Sequence, residues 1–125
     1  LCAKIRQFFE QLEDSQGENP VVFQIKEFIQ QNYAAPSLSV PDVSEHVHLS
    51  PSYVCTVFKN ETGQTLNQYL TDYRIKMSKQ FLSDPRYKIA DISSKVGYSD
   101  GNYYSKTFKK IVGLSPSEYR EKMLA

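Results

Sequence analysis

The chain has 125 residues, of which 40% are hydrophobic and 23% charged, a composition typical of one folded domain or of two very small ones that share a helix. No apolar run is long enough to span a bilayer and no secretory signal stands at the start, so membrane contact is not expected. The two cysteines and two histidines form no metal-binding pattern, and glycine loops for phosphate and nucleophile motifs are absent from the sequence. We therefore expect neither an enzyme nor a cofactor.

Charge is distributed unevenly along the chain, although the formal net charge is only +1. Residues 1–35 carry three basic and five acidic side chains, net −2, whereas residues 36–125 carry twelve basic and nine acidic ones, net +3. A local basic surface matters more than the total charge when a protein docks on phosphates. The charge pattern therefore leaves a nucleic-acid partner open for the second part of the chain.

Residues 1–19 predict a helix followed by a linker, because apolar residues recur at helical spacing and residues 15–20 are polar with Gly and Pro. The apolar residues of this stripe are Leu1, Ile5, Phe8, Phe9 and Leu12. The apolar stripe includes the first residue, Leu1. We expect this helix to be the end of an upstream domain or a dimerisation segment, and the chain to be part of a longer protein.

The chain repeats itself from residue 40 onward. Residues 40–49 match residues 89–98 in their apolar positions, and beyond the following turn the offset grows by one, so that Tyr53 matches Tyr103 and Phe58 matches Phe108. One extra residue within a turn, with both flanks in register, is typical of a duplicated helix-turn-helix.

Turn and cap residues delimit two short helices in each copy. Gly97 suits a turn that needs positive φ, and His48 holds the matching place in the first copy. Ser50-Pro51 opens the second helix of the first copy, and Gly63 and Gly113 mark the equivalent helix ends.

Apolar residues at helical spacing between the copies predict one long helix over Thr65–Ser83, which Asp84-Pro85 ends. A last helix opens at Ser115 with a capping box. The predicted fold is all-α. Its parts are 1–19 (N-terminal helix and linker), 20–63 (first helix-turn-helix subdomain), 64–84 (connecting helix) and 85–125 (second helix-turn-helix subdomain).

The second helix of each copy has an apolar stripe and an opposite outer face without acids. The predicted buried stripes are Val54, Val57 and Phe58 in the first copy and Tyr104, Phe108 and Ile111 in the second. The outer faces are Ser52, Cys55, Thr56 and Lys59, and Asn102, Ser105, Lys106 and Lys109, both spaced i, i+3, i+4 and i+7. Two matching acid-free faces are what helices approaching phosphates require.

Individual residues of these faces suggest roles. The Asn102 amide can bond an adenine edge in two places and the Lys106 ammonium can donate to guanine. Lys59 and Lys109, further along their helices, suit phosphates. A polar face that is merely solvated is the alternative for each residue, and Cys55 also suits a packing role.

These segments resemble the DNA-binding domain of AraC/XylS-type transcription regulators. The resemblance is carried by "KIADISSKVGYSDGNYYSKTFKKIVGLSPSEYR" (88–120), "LSPSYVCTVFKNETGQTLNQYL" (49–70) and "YRIKMSKQFL" (73–82), and it covers about residues 20–124. It implies seven helices, sequence-specific binding to double-stranded promoter DNA, activation through RNA polymerase, and an upstream sensor or receiver domain. A bacterial, cytoplasmic protein is expected.

The resemblance also implies the site residues. Base contacts fall on Ser52, Cys55, Thr56, Gly101, Asn102, Ser105 and Lys106. Phosphate contacts are predicted for Ser50, Lys59, Thr65, Ser99, Lys109 and Ser115. Many family members carry Arg at the position of Thr56 and a polar residue at that of Cys55, so we expect the first copy to bind more weakly. Gly101 replaces a family Pro, which loosens the start of its helix.

The alternative function is a helical protein-interaction module without a DNA role. It accounts for the amphipathic helices but not for the duplicated acid-free faces. A binding titration across salt separates the two, because affinity for DNA falls steeply as salt rises.

Overall fold

A computed structural model describes residues 19–125, which form seven α-helices and, within that range, no strand. In chain order the helices are α1 (Pro20–Asn32), α2 (Val40–Val47), α3 (Pro51–Thr62), α4 (Leu66–Leu82), α5 (Ile89–Lys95), α6 (Gly101–Val112) and α7 (Pro116–Leu124). The predicted all-α fold is confirmed. The extra N-terminal helix predicted from Leu1 lies outside the described residues. None of the seven helices combines the length and the apolar character needed to cross a membrane.

The described chain divides into two compact units. The first unit comprises residues 19–30 and 39–66, and therefore most of α1 together with α2 and α3. The second unit comprises residues 31–38 and 67–125, which include nearly all of α4 and the helices α5 to α7. The long connecting helix thus belongs almost entirely to the second unit.

In the first unit, α2 packs against α3, and apolar side chains of α1 complete the core. The buried side chains are Val22, Ile25, Ile29, Val43, Val54, Val57, Phe58 and Leu66. Those of α1 recur at i, i+3 and i+7, the spacing that places apolar groups on one face of a helix. Removal of this face from water stabilises the unit by about 25 cal/mol for each Å² of apolar surface.

The second unit has its own core, built by α4, α5 and α6, and the Tyr119 side chain of α7 packs against its edge. Its buried members are Ile75, Leu82, Ile92, Val96, Tyr98, Tyr104 and Phe108. Aromatic rings of α6 and α7 pack together at this core: the ring centroid of Phe108 lies 5.9 Å from that of Tyr104 and 5.6 Å from that of Tyr119. Edge-to-face and tilted pairs of this kind add about 0.5–1.5 kcal/mol to the burial of the rings.

The two helix-turn-helix turns have the same backbone, as the repeat predicts. His48, at φ 60°, ends α2, and Gly97, at φ 95°, follows α5. In each turn the next amide reaches five residues back: the N–H of Leu49 donates to the carbonyl of Ser44 at 3.1 Å, and that of Tyr98 to the carbonyl of Ser93 at 2.8 Å. This bond is typical of a helix end with a left-handed residue.

Ser50, Gly63 and Gly113 cap α3 and α6 as predicted, and Asp100, which was not predicted, is the N-cap of α6. The Ser50 hydroxyl accepts the N–H of Tyr53 at 3.1 Å, and the Asp100 carboxylate accepts the N–H of Asn102 at 2.9 Å. Gly63 and Gly113, both with positive φ, end the two helices. The cap residues therefore fix where each second helix begins and ends.

A buried arginine of α4 ties this helix to the segment after α1. The Arg74 Nε donates to the carbonyl of Tyr33 and its Nη2 to that of Ala35, both at 2.9 Å. The guanidinium also lies 5.4 Å from the centre of the Tyr98 ring. Desolvation lowers the pKa of Arg74. Its hydrogen bonds satisfy carbonyls beyond the C-terminus of α1.

A second arginine repeats this arrangement at the end of α4. The Arg120 Nε on α7 donates to the carbonyl of Leu82 at 3.0 Å, and its Nη2 reaches those of Phe81 at 3.5 Å and Asp84 at 3.1 Å. In both places an arginine of the helix after α3 or α6 donates to backbone carbonyls: Arg74 to those of the segment after α1, and Arg120 to those at the end of α4 and just beyond it. We call Arg74 and Arg120 the closing arginines.

Candidate nucleic-acid interface

The outer face of α3 is open to solvent along its whole length. Ser52, Cys55, Thr56 and Lys59 are all exposed. The predicted buried stripe of α3, Val54, Val57 and Phe58, is confirmed. Cys55 is therefore a surface thiol, which argues against a packing role. The helix presents two hydroxyls, a thiol and one ammonium to whatever approaches it.

The outer face of α6 is more basic. Asn102, Lys106 and Lys109 are exposed and Ser105 is half-buried. Lys110 adds a third ammonium, and α6 contains no acidic residue, whereas the single Lys59 of α3 is followed by Glu61. Since local charge governs docking on phosphates, α6 offers the stronger electrostatic attraction of the two helices.

The prediction that Ile111 is buried is wrong, because 45% of its surface is exposed. The stripe of α6 continues instead from Tyr104 and Phe108 to Val112, which is half-buried against the core. These three residues follow each other in steps of four, and Ile111 lies to one side of that line. The repeat carried a signal for this, because the residue matching Ile111 in the first copy is the exposed Glu61.

The remaining predicted contact residues lie around the ends of α3 and α6. Gly101 is the exposed first residue of α6. Of the predicted phosphate contacts, Ser50, Lys59, Thr65, Ser99 and Lys109 are exposed and Ser115 is half-buried. The hydroxyls of Ser50 and Ser115 accept backbone N–H groups of α3 and α7 as caps. The Lys59 ammonium lies 3.4 Å from the carbonyl of Gly63.

The capping box of α7 has the predicted form. The Ser115 hydroxyl accepts the N–H of Glu118 at 3.1 Å, and the Glu118 carboxylate accepts the N–H of Ser115 at 2.9 Å. The hydrogen bond from the Ser115 backbone lowers the pKa of Glu118. The carboxylate therefore stays charged where the helix dipole favours it.

Two buried aromatic rings lie behind the outer face of α6. Tyr98 lies 5.6 Å from Tyr104 between ring centroids, and both rings are buried. Burial raises the pKa of both phenols, because a charged phenolate is disfavoured away from water. The face of α6 opposite these rings is thereby held in a fixed orientation within the second unit.

Sequence reasoning missed the closing arginines. The only signal for them is the dipeptide Tyr-Arg, which occurs at residues 73–74 and 119–120. Among residues 19–125, no three His, Cys, Asp or Glu side chains lie close enough together to hold a metal ion.

Comparison with known proteins agrees with this geometry. A family described as a helix-turn-helix domain matches residues 43–122. The Msm operon regulatory protein of Streptococcus mutans is 36% identical across 98% of this chain and 45% of that protein. The arabinose operon regulatory protein of Escherichia coli is 36% identical across 75% of this chain and 32% of that protein. The chain thus spans less than half the length of these relatives.

A solved structure has a similar fold. The C-terminal domain of AraT, a response regulator from Geobacillus stearothermophilus, superposes with a TM-score of 0.80 and 31% identity, covering 83% of this chain and 86% of that domain. The two helix-turn-helix units therefore define a DNA-binding transcription regulator and not an enzyme. The chain belongs to the helix-turn-helix family of AraC-type regulators.

Proposed function

We propose that this chain binds promoter DNA through α3 and α6, which enter two successive major grooves, and that it activates transcription. The observation that carries the proposal is the pair of outer faces. Each face presents polar or basic groups at the same spacing, and neither contains a carboxylate. A helix that fits the major groove buries one stripe and offers the opposite one to base edges.

The residues of α6 carry most of the base recognition. The Asn102 amide, on the first turn, bonds an adenine edge, and Lys106, one turn later, donates to guanine. Gly101 lets the backbone approach the duplex, and Ser105 lies between the two reading residues. Lys109 contacts a phosphate and sets the register of the helix in the groove.

The residues of α3 make a weaker set of contacts. Ser52, Cys55 and Thr56 have short side chains, which reach base edges only when the helix lies deep in the groove. Lys59 contributes one phosphate contact. Additional phosphate contacts come from the serine and threonine residues at helix ends, namely Ser50, Thr65, Ser99 and Ser115.

The length of α4 supports binding to successive grooves. Its 17 residues correspond to about 26 Å at about 1.5 Å per residue. One turn of B-DNA is about 34 Å. A connecting helix of this size is comparable with the distance between one major groove and the next on the same side of a duplex.

The remaining parts of the proposal concern the whole protein. The relatives are more than twice as long as this chain, and one structural neighbour is the C-terminal domain of a response regulator. We propose that an upstream sensor or receiver domain controls DNA binding in the cytoplasm of a bacterium, and that the bound domain contacts RNA polymerase.

Selection of bound duplexes from a random library tests the two-groove arrangement. We expect a site with two half-sites about 10 base pairs apart from centre to centre. Insertion of five base pairs between them turns one half-site to the opposite side of the duplex and should reduce affinity to that of a single half-site, whereas insertion into flanking DNA should not. A selected motif with only one half-site would contradict the proposal.

A salt titration tests the phosphate contacts. The logarithm of the binding constant falls by about 0.9 per phosphate contact for each tenfold rise in salt. Lys109→Ala should reduce this slope by about one, and Lys122→Ala, at the end of α7, should leave it unchanged. An unaltered slope for Lys109→Ala would remove this residue from the contact set.

Transcription in vitro tests activation. With purified bacterial RNA polymerase and a promoter that carries the selected site, we expect added protein to raise transcript yield. A control promoter with a scrambled site should not respond. A fall in yield on the selected promoter would indicate repression and contradict the activator assignment.

A further inference from the structure

Two exposed tyrosines occupy the same place in the two copies. Tyr53 and Tyr103 are each the third residue of their helix, α3 and α6, and their side chains are 49% and 61% exposed. Within residues 19–125 the only other exposed Phe or Tyr side chain is that of Phe23. The core does not explain the pair, because the next residues, Val54 and Tyr104, occupy the buried positions.

The helical position of the pair indicates what it faces. Successive residues of an α-helix are about 100° apart, so Tyr53 lies about 100° from Ser52, and Tyr103 the same angle from Asn102. Each tyrosine therefore stands on the flank of its helix, between the outer face and the buried stripe. A helix with its side chains is about 10–12 Å wide and the major groove about 12 Å, so the flanks of a bound helix face the sugar–phosphate walls.

Neighbouring groups support a phosphate contact at this flank. The ring of Tyr103 packs against the buried ring of Tyr98, with 5.8 Å between centroids, which restrains its direction. Lys110, seven residues further along α6, lies on the same flank and is exposed. The matching residue of α3 is Asn60, also exposed and also a hydrogen-bond donor. In the described part of the chain neither Tyr53 nor Tyr103 has a hydrogen-bond partner for its hydroxyl.

We propose that Tyr53 and Tyr103 are a matched pair of DNA-backbone contacts, each hydroxyl donating a hydrogen bond to a phosphate oxygen beside its recognition helix. The inference rests on the proposed function and adds two residues to it. Such contacts fix the register of a helix in the groove and carry no base preference of their own. Each tyrosine lies beside the outer face of its helix, and the pair therefore adds a contact to α3 as well, which has only one lysine.

The test removes one oxygen atom from each ring in turn. Tyr103→Phe and Tyr53→Phe should each weaken binding to the selected duplex and to a scrambled duplex by the same factor, about 3- to 10-fold. The salt slope should stay unchanged, because no charge is lost, whereas Lys110→Ala should reduce it. Tyr73→Phe, in a half-buried ring packed on Tyr33, is the matched control and should bind as the unsubstituted chain does.

A double-mutant cycle locates the phosphate. Selected duplexes that carry a single neutral methylphosphonate at successive positions of each strand are titrated with the unsubstituted chain and with Tyr103→Phe. At one position the two losses should be less than additive, because the same hydrogen bond is removed from both sides. Additive losses at every position would overturn the phosphate assignment.

The outcomes separate this inference from the proposed function. Phe variants that bind both duplexes as tightly as the unsubstituted chain would overturn the inference alone. A loss confined to the selected duplex, with a changed base preference, would assign the tyrosines to base reading and also overturn it. Failure of the unsubstituted chain to bind any duplex would contradict the proposed function itself.

Discussion

The turn between α2 and α3 and the turn between α5 and α6 have the same left-handed conformation but different residues and different surroundings. His48 is exposed, and its strained backbone is the only one with positive φ among the non-glycine residues of 19–125. Gly97 is buried, and a Cβ placed there would lie 2.5 Å from the carbonyl oxygen of Tyr33 and 2.8 Å from the Arg74 Nε. The first turn thus tolerates a side chain that the second excludes.

The comparison shows that the two copies keep the same backbone conformation in this turn, while the side chains around each turn determine which residue fits there. Both turns need φ above zero, which costs a non-glycine residue about 1–2 kcal/mol. Only the second turn also lies under a closing arginine, which leaves no room for a side chain. The recognition helices differ in the same way: α3 and α6 have the same length and both end at a glycine, but α6 holds three lysines and α3 one.

The largest expected effect comes from the two matched core rings. Phe108→Ala should lower the free energy of unfolding by about 3–5 kcal/mol, because a fully buried ring leaves a cavity. Phe58→Ala should cost a similar amount in the first unit. Denaturant titration measures both, and amide exchange shows which unit loosens. Equal loosening of both units by either change would contradict their separate cores.

The next effect tests the two turns directly. Gly97→Ala should destabilise the chain by about 3 kcal/mol, from backbone strain together with crowding by Tyr33 and Arg74. His48→Ala is the control and should change stability by less than about 1 kcal/mol, because a side chain already occupies that conformation. Similar losses for both variants would show that the crowding at Gly97 has no cost.

The recognition helices are compared by binding. Lys106→Ala should weaken specific binding by about 1–3 kcal/mol and relax the preference at one base pair, since it removes a base-edge donor. Thr56→Ala, at the matching position of α3, should cost less than about 1 kcal/mol. Selection from random DNA with each variant provides the measurement. A larger loss for Thr56→Ala would reverse the order proposed for the two helices.

The smallest expected effect is a gain in stability. His48→Gly relieves the left-handed strain but adds freedom to the unfolded chain, so the net gain should be about 0.5 kcal/mol. Thermal unfolding of this variant and of the unsubstituted chain at the same pH measures the difference. A loss of stability would mean that the His48 side chain makes favourable contacts in the turn.

Local rules predicted most of the fold, because caps, glycines and apolar spacing act over a few residues. The predicted connecting helix, Thr65–Ser83, differs from the observed Leu66–Leu82 by one residue at each end. The burial of Phe58 and Phe108 also followed from spacing. These features depend on the sequence within one or two helical turns.

Contacts between distant residues were not predictable in this way. The hydrogen bonds of Arg74 and Arg120 could not be predicted from side-chain spacing, because their partners are carbonyl groups 36 to 41 positions earlier in the chain. Backbone acceptors leave no trace in side-chain patterns. Tyr53 and Tyr103 were matched by the repeat, but their position on the helix flank became evident only from the packing of the residues beside them.

The closing arginines also have a consequence for biosynthesis. The ribosome synthesises residues 33–35 before Arg74, and Arg74 before Arg120. The carbonyls after α1 therefore receive their donor earlier than those at the end of α4. The earlier set can be satisfied while the last third of the polypeptide is still being translated. A nascent or proteolysed chain that stops before α7 leaves the end of α4 without its guanidinium, and quality-control proteases would meet a frayed helix there.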